Sequence, residues 1–127
     1  MKIKILIFIL SPTADGNCEV LIRIKSNGHY LIPCKEMLEN PQLEALRSAQ
    51  DILNLENVEL LSYFGSKEHT HAYVLRTIGA EIQTEQMTKM GYQFTGLNVV
   101  LGTKVQSEAK AFWNQLLDYV QEHMVWD

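Results

Sequence analysis

Ile5 to Leu10 reads IFIL-like without a polar position, an uninterrupted apolar run of Ile5, Leu6, Ile7, Phe8, Ile9 and Leu10. A strand with one face in water alternates polar and apolar residues, so a run that does not alternate must be covered on both sides. Its isoleucine-rich make-up favours a buried strand over a helix. The lysines of the opening Met1–Leu10 stretch imitate a signal peptide, but the run is short and no small-residue cleavage site follows it. It also falls well below the roughly 20 apolar residues of a membrane span, and no other segment comes closer. With 127 residues, 46% of them hydrophobic, the chain can bury the sizeable core that such a strand requires, as one domain over residues 1–127.

Charge narrows the partners. Lys plus Arg number 11 against 15 Asp plus Glu, a formal charge of -4, and no basic run could neutralise a series of phosphates. Extended nucleic acid is therefore not expected as a partner, whereas a single nucleotide remains compatible. Cys18 and Cys34 make neither a disulfide framework nor a zinc site, which points to a reducing cytoplasm and to ordinary thiols.

Along the chain, the first strand should span about Lys2 to Leu10 and stop in the Ser11–Gly16 turn. Cys18, Val20, Ile22 and Ile24 then alternate with polar neighbours, predicting a strand over Cys18–Lys25. Asn27-Gly28 suits a type I′ turn, returning His29–Ile32 antiparallel. Pro33 ends that strand, and a loop from Cys34 leads to Asn40, an N-cap placed before Pro41 at the first helical position. In the helix, Leu43, Leu46, Ala49, Leu53 and Leu55 form an apolar side and Glu44, Arg47, Ser48 and Asp51 a polar one. Glu44, early in the helix, is favoured by the helix dipole.

Further strands are expected at Val58–Phe64, closed by Gly65, and at His71–Thr77. Gly79 marks a break. Ala80–Met90 reads as a strand at its start, then a polar loop or short helix. Gln93–Leu101 is a strand candidate bent at Gly96, and Ala109, Phe112, Leu116, Leu117 and Val120 place a terminal helix over Ser107–Met124. The fold class is α/β, a mixed sheet with helices on its faces.

Few constellations carry chemistry. His69 and His71 would share a side of an extended segment, but two ligands do not make a metal site. Phosphate-binding glycine motifs and a nucleophile elbow are absent. Tyr73, Tyr92, Phe94 and Trp113 suit either the core or stacking on a nucleobase.

The Pro33–Leu55 stretch resembles the box of the Nudix hydrolases, G-x5-E-x7-R-E-U-x-E-E-x-G-U, where U is a bulky aliphatic. Seven residues separate Glu39 from Arg47, Pro41 follows the glutamate as a proline often does there, Asp51 matches the first member of the E-E pair, and Leu55 takes the last aliphatic position. VLIRIKSNGHYLIP before the box and VELLSYF and HAYVLRT after it are similar to the family's strands, so the likeness covers about Lys2–Thr77. It implies a Nudix-like α/β/α sandwich with a box helix and a C-terminal helix.

The box is also degenerate. Ser48 stands where the glutamate after the arginine belongs, Ile52 replaces the second glutamate of the pair, Asn54 the glycine, and Cys34-Lys35 the usual glycine pair. The family works through divalent cations held on those carboxylates, and Mg²⁺ demands hard oxygen ligands. The resemblance therefore implies a Nudix-like protein that binds a nucleotide-like molecule or a partner without efficient hydrolysis. The alternative is a divergent pyrophosphohydrolase of nucleoside diphosphate derivatives, with Mg²⁺ or Mn²⁺ on Asp51, Glu39 and Glu44. In it, Arg47 and Asp51 would be catalytic; Arg47 and Tyr73 are the ligand-binding candidates in either case. Arg47 could equally brace the loop through Glu39 or carbonyls. A non-catalytic interaction module is a third class. No membrane partner is expected, no cofactor is expected without activity, and a homodimer stays open.

Overall fold

A computed structural model describes residues 3–12, 18–36, 40–53, 58–77, 85–100 and 102–123. The first strand, β1 (Lys4–Pro12), is the axis of the fold. Ile5 to Leu10 are each at most 1% exposed, as their unbroken apolarity requires. At roughly 1.5–3 kcal/mol for each large side chain buried, this run alone fixes where the layers lie.

Three neighbours share the two edges of β1. Strand β6 (Thr70–Thr77) runs parallel to it, with Lys4 opposite Thr70 and Leu10 opposite Arg76. Along its other edge β1 pairs antiparallel with β2 (Cys18–Ile24) at Leu10–Pro12, and with β4 (Cys34–Glu36) at Lys4–Leu6. The two-residue β3 (Tyr30–Leu31) flanks β2, β5 (Val58–Lys67) flanks β6, and β7 (Tyr92–Gly96) pairs with the far side of β2. The result is a mixed seven-stranded sheet.

Alternation along β1 assigns each residue a layer. Ile5, Ile7 and Ile9 pack with Leu21, Leu75 and the alanines Ala45 and Ala49 of α1 (Pro41–Leu53). Leu6, Phe8 and Leu10 face Ala109, Phe112, Trp113 and Leu116 of α3 (Ser107–His123). The Phe8 and Trp113 rings meet edge to face, 6.2 Å apart. The expected α/β/α sandwich is thus the observed one. A short α2 (Glu85–Lys89) adds Met87, fully buried, to the α1 layer. No helix among the described residues is long and apolar enough to cross a membrane.

Several boundaries differ from expectation. β1 continues through Ser11 and Pro12, because its hairpin with β2 pairs Ser11 with Glu19 and Pro12 with Cys18; a proline is tolerated at such a strand end. The Asn27-Gly28 turn is not type I′, which needs two left-handed residues. Only Gly28 is left-handed there (φ 80°), while Asn27 Oδ1 accepts the His29 amide at 3.0 Å. The left-handed pair lies instead at Glu68 (φ 49°) and His69 (φ 65°), joining β5 to β6. Gly65 does not end β5: with φ 93° it sits beside a register shift between Tyr63 and Gly65, and the strand resumes to Lys67. β7 stops at Gly96, where the Gly96 carbonyl accepts the Val99 amide at 2.9 Å and turns the chain. The residues after Pro33, expected as loop, form β4. The later part of Ala80–Met90 is helical, as α2. The expectations at Lys2, for a turn at residues 13–16, for a strand at the start of Ala80–Met90, and at Glu39, Asn54, Leu55, Gly79, Leu101 and Met124 lie outside the described residues, as do the side chains of Ile52 and Leu53.

Helix α1 begins as its sequence dictates. Asn40 Oδ1 accepts the backbone amides of Gln42 (3.0 Å) and Leu43 (3.3 Å), and Pro41 opens the helix with no amide to leave unpaired. Replacing Asn40 with Ala should lower stability by about 1 kcal/mol, read as a lower urea midpoint at unchanged slope, whereas Asn40→Asp should stay within a few tenths.

Candidate functional site

The buried face of α1 is not the expected one. Leu43 is 42% exposed, while Glu44 (6%) and Ser48 (7%) are buried beside Ala45 and Ala49. Small alanines let the helix approach Ile5, Ile7 and Ile9 closely, and the turn of the helix that meets the sheet therefore carries its polar neighbours inward. Glu44, Ser48 and Asp51 follow one another at helical spacing along the margin of that contact.

Burying a carboxylate is costly unless a positive group and hydrogen bonds compensate it. For Glu44 the compensation comes from β4. In the Cys34–Glu36 strand alternate side chains take opposite faces, and pairing of Lys35 with Ile5 puts Lys35 in the α1 layer. Its Nζ lies 2.9 Å from Glu44 Oε2. Arg47 reaches the other carboxylate oxygen only at 3.8 Å, and its side chain stays 57% exposed. The orientation of β4 is in turn fixed by Gln106, ahead of α3. Gln106 Oε1 accepts the Ile32 amide (2.8 Å) and its Nε2 donates to the Ile32 carbonyl (2.6 Å), clamping the chain between β3 and β4.

A cleft of about 220 Å³ opens between α1, β4 and β7, lined by Ile7, Cys34, Lys35, Ser48, Asp51 and Tyr92 among others. Ser48 contributes a buried hydroxyl that has no hydrogen-bond partner among the described residues. A neighbouring cleft of about 310 Å³ shares Cys34, Lys35 and Tyr92 with it and adds Arg23, Leu31 and Ile32. The Arg23 guanidinium lies 5.8 Å from the centre of the Tyr92 ring. At the rim of this second cleft Lys4 Nζ bonds Glu108 at 3.1 Å, and that contact raises the lysine's pKa.

Of the sequence candidates, the structure brings Asp51 to the cleft and ties Glu44 to Lys35, which lines it. Arg47 sits outside, on Glu44. Tyr73 lies elsewhere, 6% exposed in the α1 layer with its ring 4.9 Å from Tyr63, and burial raises its phenol pKa. Tyr92, first read as either core or stacking residue, is the aromatic at the cleft. His71 Nδ1 is engaged by Tyr63 Oη at 2.7 Å. Lys35 and Gln106 were missed by sequence reading; a three-residue polar strand and a glutamine before a helix carry no signal of their own.

Among the described residues no group of three His, Cys, Asp or Glu could hold a metal ion. Among the described residues, the donors at the cleft do not by themselves fit Mg²⁺ or Mn²⁺: Glu44 is already tied to an ammonium, Ser48 is neutral, and Asp51 is a single carboxylate.

Cys34 at the cleft is a poor nucleophile. Burial pushes its thiol up to about 11, and that of Cys18 up to about 12, leaving at pH 7 a thiolate fraction of about one part in ten thousand for Cys34. A thiol reagent at neutral pH should accordingly label both cysteines at least about tenfold more slowly in the folded chain than in urea.

No family model matches the sequence, and no curated protein matches it. Solved structures do match its fold. A Nudix hydrolase from M. Smegmatis, RenU, superposes with a TM-score of 0.70 at 13% identity, covering 97% of this chain and 88% of that one. An Ap4A hydrolase of C. elegans in a binary complex gives 0.64 at 11% identity, covering 95% and 98%. The C-terminal domain of mouse MUTYH, in complex with human PCNA, gives 0.62 at 13%, covering 95% and 90%. The chain has the Nudix-like fold.

Proposed function

We propose that this chain binds a nucleotide-like ligand in the paired clefts between α1, β4 and β7 and does not efficiently hydrolyse a pyrophosphate bond. One observation carries the reading: Glu44, the buried carboxylate beside the cleft among the described residues, is paired with Lys35 at 2.9 Å. Among the described residues Ser48 and Asp51 add one hydroxyl and one carboxylate, too few hard anionic ligands for the cations that a diphosphate requires. The dimensions suit a nucleotide, with phosphates by Lys35 and Ser48 and the remainder beside Tyr92 and Arg23, whose ring and guanidinium can stack on a base. The two free thiols accord with action in a reducing cytoplasm.

The second reading is a divergent Mg²⁺-dependent pyrophosphohydrolase using Asp51, Glu39 and Glu44; it draws support from the fold shared with the Ap4A hydrolase. An interaction module is the third, the MUTYH domain bound to PCNA being the parallel.

A panel of nucleoside diphosphate sugars and dinucleoside polyphosphates, assayed for product with Mg²⁺ and Mn²⁺, separates these readings. The expected result is saturable binding of at least one compound with no turnover that depends on Asp51. Turnover abolished by Asp51→Asn would install the hydrolase reading, and failure to bind any of the panel would favour the interaction module.

A further inference from the structure

We propose that the Lys35 ammonium occupies the role of a metal ion in the α1–β4 cleft, so that the site receives a phosphate or pyrophosphate anion without any divalent cation. The inference rests on the nucleotide-binding reading and specifies its chemistry.

Three features of the site converge on it. Among the described residues Lys35 is held on one side only: Glu44, its side chain 8% exposed, takes the ammonium at 2.9 Å, while the lysine side chain remains 44% exposed. An ammonium has three donors, so those not directed at Glu44 stay available toward the two clefts that Lys35 lines. Ser48, one helical turn beyond Glu44 and 93% buried by its 7% exposure, lines the same cleft, and its buried hydroxyl has no hydrogen-bond partner among the described residues. An unmatched buried hydroxyl costs about 1–3 kcal/mol, which an anion accepting its proton would recover. Finally, the charges lining the two clefts balance, Lys4, Arg23 and Lys35 against Glu36, Asp51 and Glu108, with Glu44 and Arg47 paired behind them. A balanced site has little attraction for a dication, and in the α1–β4 cleft an anion placed on Lys35 meets Asp51 as the opposing charge among the described lining residues, Glu36 and Glu108 lining the second cleft.

A purely structural ion pair would predict the same Lys35–Glu44 distance but no use for Ser48 and no dependence of anion affinity on Asp51. The sign of the Asp51 effect is the sharpest discriminator. In a metal site Asp51→Asn removes a ligand and weakens anion binding. In a lysine site it removes a repulsive charge and strengthens binding, by about twofold for a unit charge some 8 Å away in water.

Calorimetric titration with inorganic pyrophosphate and with ADP, in EDTA and again in Mg²⁺, tests this directly. The expected pattern is binding in EDTA that Mg²⁺ does not improve, a loss of about tenfold or more in Lys35→Met, retention in Lys35→Arg, and a gain in Asp51→Asn. Ser48→Ala should weaken binding severalfold. Thermal melts report whether Lys35→Met folds; if it does not, the Mg²⁺ comparison and the Asp51→Asn sign decide on proteins that keep the Lys35–Glu44 pair. Binding that needs Mg²⁺, or that Asp51→Asn abolishes, would overturn the proposal. ADP bound no better than adenosine would overturn it while leaving nucleotide binding intact, and neither ADP nor pyrophosphate bound would overturn it together with the reading on which it rests.

Discussion

Burial of β1 on both faces is the constraint from which the rest of the molecule follows. A strand whose consecutive side chains are all apolar cannot be satisfied by one layer, so Ile5, Ile7 and Ile9 take α1 and Leu6, Phe8 and Leu10 take α3. Its two edges must also be hydrogen-bonded throughout, which brings β6 to one edge and divides the other between β2 and β4. That division determines the site. The short β4 exists because the first part of β1 needs a partner that β2, pairing only from Leu10 onward, does not supply. Once Cys34–Glu36 pairs there, alternation alone delivers Lys35 to the α1 layer.

The site is then a problem in charge compensation. Two alanines draw α1 against the sheet, and the cost of that close contact is a carboxylate, Glu44, carried below the surface. Its solution is local and uses Lys35, with Arg47 more distantly on the outer oxygen. A half-exposed lysine paired to a buried glutamate gives a different chemistry from a row of free carboxylates, although the backbone holding the two is alike. The likeness to solved Nudix structures at 11–13% identity concerns that backbone.

Much of the fold was legible in the sequence because its signals are local. The apolar run of β1, the alternation of β2, the Asn40-Pro41 start of α1 and the stripe of α3 each follow from periodicity or capping within a few residues. The failures are of another kind. Gly65 was read as a terminator, but a left-handed glycine within a paired strand can be a bulge when the partner strand continues past it. Asn27-Gly28 took a different turn because the asparagine side chain bonded its own loop. β4 is defined only by its partner. The rotation of α1 depended on Ala45, which a count of large apolar residues overlooks, and with it went the burial of Glu44 and Ser48. Asp51 was legible from the spacing of the box; Lys35 was not, since only tertiary pairing sets it against the helix.

The central proposal is that the cleft between α1 and β4 has a cation of its own in Lys35 and receives its anion without a divalent metal ion. Mn²⁺ titrated into the isotope-labelled chain and followed amide by amide tests it most directly, because the paramagnetic ion erases signals near wherever it binds. The expected outcome is that the amides of Ser48 and Asp51 broaden no earlier than that of Glu122, a carboxylate 71% exposed on the last turn of α3. Selective loss of Ser48 and Asp51 at the lowest Mn²⁺ concentrations would contradict it.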